Sequence, residues 1–550
     1  MMFQRWTGVC RVPVCLLFFI NAQLMPGLAA SALTQAFDGK GNSAGGLHRL
    51  IVTENPESSE YICPTELGAA IDAVIDRPQF RRTHWGILIE PLSPNAFADQ
   101  SRLPSRVAEP RGLNRTSTVN PNPTLYSRDA QRYFIPASNV KLLTTAAALL
   151  QLGSEFRIRT SVYDAGAGSL RVVGRGDPSL TQAQLKDLAQ QLKRRGVRNV
   201  PKLIVDDGYF QGEVVNLSWD WEDVQSDYGA SVNSLILNQN AVELTLSPQQ
   251  VGEPLRIRWS DSIAALQWQI VNNSVTVQRA APASVAVTRV LGKPLLQIRG
   301  QLAIDSEPQS FGLAVLDPGE YFIQHFQNAL AAEGITVGQA FVVSSTPVGD
   351  ERELAAVESP TLATLLLETN QESNNLYAEV LLRSLGTKVG GAGIRTVSTD
   401  STAKKGLNLV KATLTELGID PESYVLVDGS GLSRQNLVSP EAIAQTLKLM
   451  AQTPQAAAYR ASLPTAGITG TLGHRFRNTV AQGNLQAKTG TMNGVSALSG
   501  YLDIPGPQLL VFSIMVNQSD QSVATLRQAI DEIVLLLTRL HLHSCQVQLQ

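Results

Sequence analysis

Two short motifs, Ser138-Asn-Val-Lys141 and Ser373-Asn-Asn375, stand 235 positions apart, and a third, Lys488-Thr-Gly-Thr491, follows 115 positions further on. Each carries side chains that do chemistry only in company. A serine hydroxyl is a poor nucleophile until a base takes its proton. A lysine serves as that base only when burial or a neighbouring cation lowers its pKa. If the three motifs share one site, the chain must leave a domain after the first motif, fold a large separate body, and return. The catalytic domain is then discontinuous in sequence.

At 550 residues the chain has length for about three domains at ~150 residues each. It is 43% hydrophobic and 17% charged, enough for real cores and too little charge for wholesale disorder. A net charge of −2 and an aromatic content of 6% give no basis for nucleic-acid binding. Near the N-terminus, Arg5 and Arg11 precede a short apolar run from Val12 to Leu24, broken by Pro26 and Gly27 and followed by the small residues Ala30-Ser31-Ala32. This reads as a cleavable export signal rather than a membrane anchor, because the run is shorter than the ~20 apolar residues a span needs. Cys10 and Cys15 would leave with it. Cys63 and Cys545 would remain, and their pairing is left open. His541 and His543 alone are a poor metal site, so no metal is expected.

The stretch Cys63–Asp76 has helical spacing, His84–Leu92 reads as a buried strand, and Ser93–Pro123 as a solvated insertion of Ser, Asn, Pro and Arg. A second strand is expected around Tyr133–Ile135. Pro136 and Gly153 bracket a helix that opens at Ser138. From Phe156 to Asp317 the texture changes to short alternating strands. Helical patterning returns at Pro318–Gly334 and Pro360–Gly386. Two strands, Val495–Leu502 and Leu509–Asn517, then precede a terminal helix over Ser522–Leu540.

Ser138 and Lys141, three apart at a helix start, share one face and can touch, and the helix dipole favours an oxyanion there. Lys488, brought near, could supply the charge that lowers the Lys141 pKa. A second Ser-x-x-Lys, Ser401-Thr-Ala-Lys404, falls after Ser373 and breaks the order; Ser401 is more simply a helix cap. The Ser373 hydroxyl can relay a proton between Lys141 and a leaving amine, while Asn375 can bind a substrate amide. Ser93-Pro-Asn95 and Ser231-Val-Asn233 share its pattern but lie in the solvated insertion and the β block. The bland reading of Ser373-Asn-Asn375 is a polar helix junction. On an edge strand, Gly490 admits a substrate backbone, Lys488 and Thr489 can bind a carboxylate, and the Thr491 and Ser138 N–H groups can form an oxyanion hole.

The three motifs resemble those of class A β-lactamases and penicillin-binding proteins, with Asn374 in place of the usual central aspartate. Longer matches, Phe134–Ala148, Tyr228-Gly-Ala230, Leu237–Asn240, Asp428–Ser433 and Gly470-Thr-Leu472, resemble the class C low-molecular-mass penicillin-binding proteins. These are D-alanyl-D-alanine carboxypeptidase/endopeptidases, and the large insert is their own trait. The resemblance implies an α+β fold: a serine β-lactamase/DD-peptidase-like domain, with an antiparallel sheet flanked by helices, interrupted by a mostly-β insert. The expected boundaries are a signal at 1–32, catalytic parts at 33–155 and 318–550, and an insert at 156–317 made of two units, one nested in the other. It further implies a periplasmic serine peptidase without cofactor, acting on peptidoglycan stem peptides and acylated by β-lactams at Ser138. Release of terminal D-Ala is expected, with D-Ala–diaminopimelate cross-links as a second substrate; the balance and the oligomeric state stay open. In that family an acidic residue of the insert and a methionine after Lys-Thr-Gly-Thr bind the stem-peptide side chain, roles that would fall to Asp223 and Met492.

Two rivals are weighed against this. A β-lactamase or esterase of the same fold has no need of the large insert and would want a deacylating glutamate that no clear motif supplies. A wall-binding or sensor protein would have no use for a base beside a serine.

Overall fold

The computed structural model describes residues 61–92, 124–344, 351–388, 400–506 and 508–542. The expectations for the export signal, the insertion after Leu92, His543, Cys10, Cys15 and Cys545 lie outside these residues. Cys63 is disulfide-bonded.

The chain begins with α1 (Pro64–Ile75), β1 (His84–Leu92), β2 (Tyr126–Arg128) and α2 (Val140–Leu152). It continues through β3 (Arg159–Asp164), β4 (Leu170–Val173), α3 (Gln182–Arg194) and β5 (Asn199–Asp206). Next come β6 (Ala241–Ser247), β7 (Arg256–Trp259), α4 (Ser262–Ala265), β8 (Gln269–Val277), β9 (Ala286–Arg289), β10 (Leu295–Ala303) and β11 (Gln309–Ala314). Then follow α5 (Pro318–Ala332), β12 (Thr336–Val343), β13 (Glu353–Glu358), α6 (Leu362–Asn370), α7 (Asn375–Lys388) and α8 (Thr402–Leu417). The last elements are β14 (Tyr424–Val425), β15 (Leu437–Val438), α9 (Pro440–Met450), α10 (Ala456–Ala461), β16 (Leu485–Met492), β17 (Val495–Ile504), β18 (Gln508–Asn517) and α11 (Val523–Leu537).

An antiparallel sheet of order β16-β17-β18-β1-β2 unites the two ends of the chain. Both its faces are covered, which is why β1 reads as a mostly apolar run. Alternate side chains serve different cores: Leu88 and Leu92 join α2, α8 and α9, while Ile87 and Ile89 join α1 and α11. The helix α2 is buried along ten consecutive residues, Val140 to Leu149. A helix apolar all round belongs at the centre of a domain, and Lys141 is carried into that centre with it.

The strand expected at Tyr133–Ile135 is absent. Phe134 makes a single bridge to Val438, and the strand in this region is β2. The backbone bends at Pro136 and at Ala137, whose φ is +47°. The helical stretch expected over Pro360–Gly386 is likewise interrupted: α6 stops at Asn370 and α7 starts at Asn375, with Ser373 at φ +62° between them.

Within the intervening body, a five-stranded sheet has the order β12-β5-β4-β3-β13. Its two edge strands lie beyond Asp317, so the boundary expected there falls inside this sheet, which runs on to Glu358. The helix α3, hidden in a block that reads as strands, has an apolar stripe of Leu185, Leu188, Ala189 and Leu192 behind a Thr181–Gln184 capping box. Between β5 and α5 lie two further sheets, β11-β6-β7 and β8-β10-β9, the second nested in sequence between β7 and β11 of the first. This body sits on the helices around the second motif: Phe210, Trp219, Val232 and Ile236 pack with Ile158, Leu365, Leu376, Tyr377 and Val380.

Candidate active site

Ser138 lies in a 3₁₀ turn, Ala137–Asn139, that runs directly into α2. Lys141, one turn on, is fully buried. Its Nζ donates to Ser138 Oγ at 3.0 Å, to Asn375 Oδ1 at 2.6 Å and to the Ser430 carbonyl at 2.7 Å. Burial lowers its pKa from 10.5 to about 7, against the pull of Asp428 and Glu379, which favour the ammonium. The lowering expected from Lys488 is thus the work of desolvation. Lys488 is itself pushed well below its ordinary value, first by burial and then by the Lys141 charge.

Ser373 accepts a hydrogen bond from Lys488 Nζ at 2.8 Å. Asn375, the first residue of α7, has both polar ends engaged: Oδ1 accepts from Lys141, and Nδ2 donates to the Tyr228 carbonyl at 2.9 Å. The middle residue, Asn374, donates to Gln239 Oε1 at 2.8 Å. The second motif therefore touches the nucleophile's base, the third motif and the intervening body together.

The third motif occupies β16, an edge strand. The Ala487 N–H points off that edge to the Pro464 carbonyl at 3.0 Å. Strand alternation turns the Thr489 and Thr491 N–H groups the same way. A Cβ on Gly490 would lie 2.6 Å from the Pro136 carbonyl oxygen, so only glycine lets the strand approach the nucleophile turn. On the opposite side Gly431, at φ +83°, places its backbone where a Cβ would stand 1.9 Å from the Ala137 carbonyl oxygen. Thr489 Oγ1 donates to Thr471 Oγ1 at 2.8 Å, and Arg527 donates to Thr491 Oγ1 at 3.2 Å. Burial lowers the Arg527 pKa, with Arg475 adding to the effect. Met492 is half-buried at the end of β16.

Asp223 lies in a 3₁₀ turn of the intervening body and accepts a hydrogen bond from Tyr228 Oη at 3.1 Å. Burial raises its pKa. Through Tyr228, whose carbonyl holds Asn375, this carboxyl is three contacts from the base. Arg434 ties the segment just before Asp223 to the turn after Met492, reaching Asp220 at 3.5 Å and the Asn493 carbonyl at 3.1 Å.

Asp428 stood in the sequence only as the start of a motif match without a role; it accepts from the Gly431 and Ser433 N–H groups, from Asn436 and from the Trp219 indole. Glu379 accepts from the Gly429 and Ser430 N–H groups. A signal existed for Glu379, which stands four residues after Asn375 on one helix face; none marked Arg434 or Arg527. Of the decoys, Ser401 caps α8 through the Lys404 N–H, and Asn233 is buried against Asp207. Among the described residues, no group of three or more His, Cys, Asp and Glu could hold a metal ion, and no helix is long and apolar enough to cross a membrane.

Comparison with known proteins finds a match of residues 99–540 to the D-Ala-D-Ala carboxypeptidase 3 (S13) family. A D-alanyl-D-alanine carboxypeptidase of Actinomadura sp. (strain R39) is 36% identical over 416 residues, covering 72% of this chain and 75% of that protein. A penicillin-sensitive carboxypeptidase A of Dictyostelium discoideum is 30% identical, covering 76% and 85%. The crystal structure of penicillin binding protein 4 from Haemophilus influenzae shares the fold, with a TM-score of 0.68 and 23% identity over 85% of this chain and 98% of that one.

Proposed function

The chain belongs to the D-Ala-D-Ala carboxypeptidase 3 (S13) family, and from that premise we propose how its residues perform serine DD-peptidase chemistry. The observation that carries the reading is a fully buried lysine whose Nζ lies 3.0 Å from a serine hydroxyl, and whose burial lowers its pKa to about 7. Near neutrality about half of Lys141 is the free amine. It takes the proton as Ser138 Oγ attacks the carbonyl carbon of the penultimate D-Ala. The oxyanion that forms is met by the Ser138 and Thr491 N–H groups.

The peptide C–N bond then breaks, and the departing D-Ala nitrogen takes a proton delivered through Ser373, whose hydroxyl is held by Lys488. Water, deprotonated by Lys141, hydrolyses the resulting ester and frees Ser138. The substrate carboxylate lies against Thr489, Gly490 and Thr491, with Lys488 acting from beneath the strand. Arg527 adds a cation at Thr491. Asn375 orients both the base and the substrate amide, while Asp223 and Met492 bound the stem-peptide side chain.

The catalytic domain in this reading comprises residues 61–158 and 359–542, interrupted by an insert at 159–358. Its substrates are peptidoglycan stem peptides, and β-lactams would acylate Ser138. The penicillin-sensitive relative supports this. Cleavage of D-Ala–diaminopimelate cross-links is the second activity of the same site, and the N-terminal signal directs the protein to the periplasm. The test is D-Ala release from a stem pentapeptide by the wild type beside Ser138→Ala. Turnover lost in a folded variant is expected; turnover retained would remove Ser138 as nucleophile.

A further inference from the structure

Lys141 is held by three acceptors, and one of them is a backbone carbonyl that a buried acid fixes from the other side. Ser430 accepts from Lys141 through its carbonyl and donates its N–H to Glu379 Oε1, at 2.7 and 2.8 Å respectively. The same Glu379 oxygen takes the Gly429 N–H at 2.8 Å. Glu379 is only 2% exposed. It lies one helical turn after Asn375 and one before Arg383 on α7, so the base's side-chain acceptor, the acid and a buried cation stand in one row.

We propose that Glu379 is a positioning residue for the catalytic base: its carboxylate clamps the Gly429–Ser430 turn that holds Lys141, and its charge governs how readily Lys141 gives up a proton. The proposal rests on the assignment of Lys141 as base. Four charged groups surround the pair. Asp428 is committed to two backbone N–H groups, Asn436 and Trp219. Arg383 donates to the Glu213 carbonyl at 2.8 Å. Lys488 and, through it, Glu372 complete the set. Glu379 is driven toward its protonated form by burial and by Asp428, while Arg383 and the two N–H groups favour the anion. When Lys141 accepts the Ser138 proton, the Glu379 anion stabilises the ammonium that forms.

The test is the pH dependence of the acylation rate with a chromogenic penicillin for wild type, Glu379→Gln and Glu379→Asp. Glutamine keeps the acceptor and removes the charge, so Lys141 becomes a weaker base that is free at lower pH. The acid limb is expected to move down by about 1 pH unit, and the alkaline plateau to fall about three-fold, following a Brønsted dependence on base strength. Glu379→Asp keeps the charge but reaches less far; its plateau should fall with the limb unmoved, and a limb that moved in this variant would overturn the proposal even if the glutamine variant does not fold. A Glu379→Gln profile lowered uniformly with its limb in place would reduce Glu379 to a structural contact. Equal limb shifts in both variants would also overturn the proposal. A wild type that no penicillin acylates would instead defeat the assignment of the site itself.

Discussion

Replacing Lys141 with methionine separates two consequences of one burial. The ammonium is lost from solvent, and its pKa falls from 10.5 to about 7. Because the folded pKa is depressed, the unfolded chain holds more protons than the folded one between these values. The Lys141 contribution to stability therefore rises with pH across that window. From about pH 6 to about pH 9 the gain amounts to about 2–3 kcal/mol, at ~1.36 kcal/mol per pKa unit. The methionine variant lacks this gain. It also leaves Asn375 Oδ1 and the Ser430 carbonyl without their donor, a cost of ~1–3 kcal/mol each that does not vary with pH. The slope is thus the diagnostic, and the offset is not. Denaturant unfolding of both proteins at a series of pH values should show wild type gaining on Lys141→Met by this amount, while penicillin acylation of the variant is abolished. Parallel stability profiles, or normal acylation by a folded variant, would refute the assignment of Lys141 as a buried base.

Gly431→Ala forces a side chain into the Ala137 carbonyl at a left-handed backbone position; a loss of ~2–4 kcal/mol is expected, with acylation slowed at least about ten-fold through the displaced nucleophile turn. Unfolding and acylation rates check both, and an unchanged acylation rate would show that the turn is not held from this side. Arg527→Ala removes the cation at Thr491, so KM for a peptide ending in a free carboxylate should rise about ten-fold, by ~1.4 kcal/mol of lost charge-assisted bonding. Equal effects on the C-terminal amide would exclude a carboxylate role. Asp223→Asn should lower kcat/KM several-fold for stem peptides with a free amino side chain and leave their acetylated forms unaffected, as steady-state kinetics would show.

How far the sequence spoke depends on whether information is local. The motif residues, the apolar run of β1 and the two strands after Lys488 are visible because alternation and motif chemistry act over a few positions. The convergence of the motifs followed from their separation and their need for one another. The end of the inserted body was hidden, since β12 and β13 join its sheet through pairings with β5 and β3 that lie far away in sequence. The same holds for the electrostatics of Lys141. Its low pKa comes from being carried inside α2, and its opposing acids arrive from α7 and from the 428–431 turn. Spacing alone pointed instead to Lys488, the cation that the motifs advertise. The partners of Ser373 and Asn375 were likewise unreadable, because they depend on how the α6–α7 break faces β16 and the Tyr228 turn.

The central claim is that Ser138, activated by Lys141, forms the acyl-enzyme. Its most direct test is mass spectrometry of the protein after incubation with penicillin, with peptide mapping of the adduct and Ser138→Ala in parallel. A stable adduct of one penicilloyl group on the peptide containing Ser138, absent from the variant, is predicted. An adduct on another residue, or none on a well-folded wild type, would contradict the account.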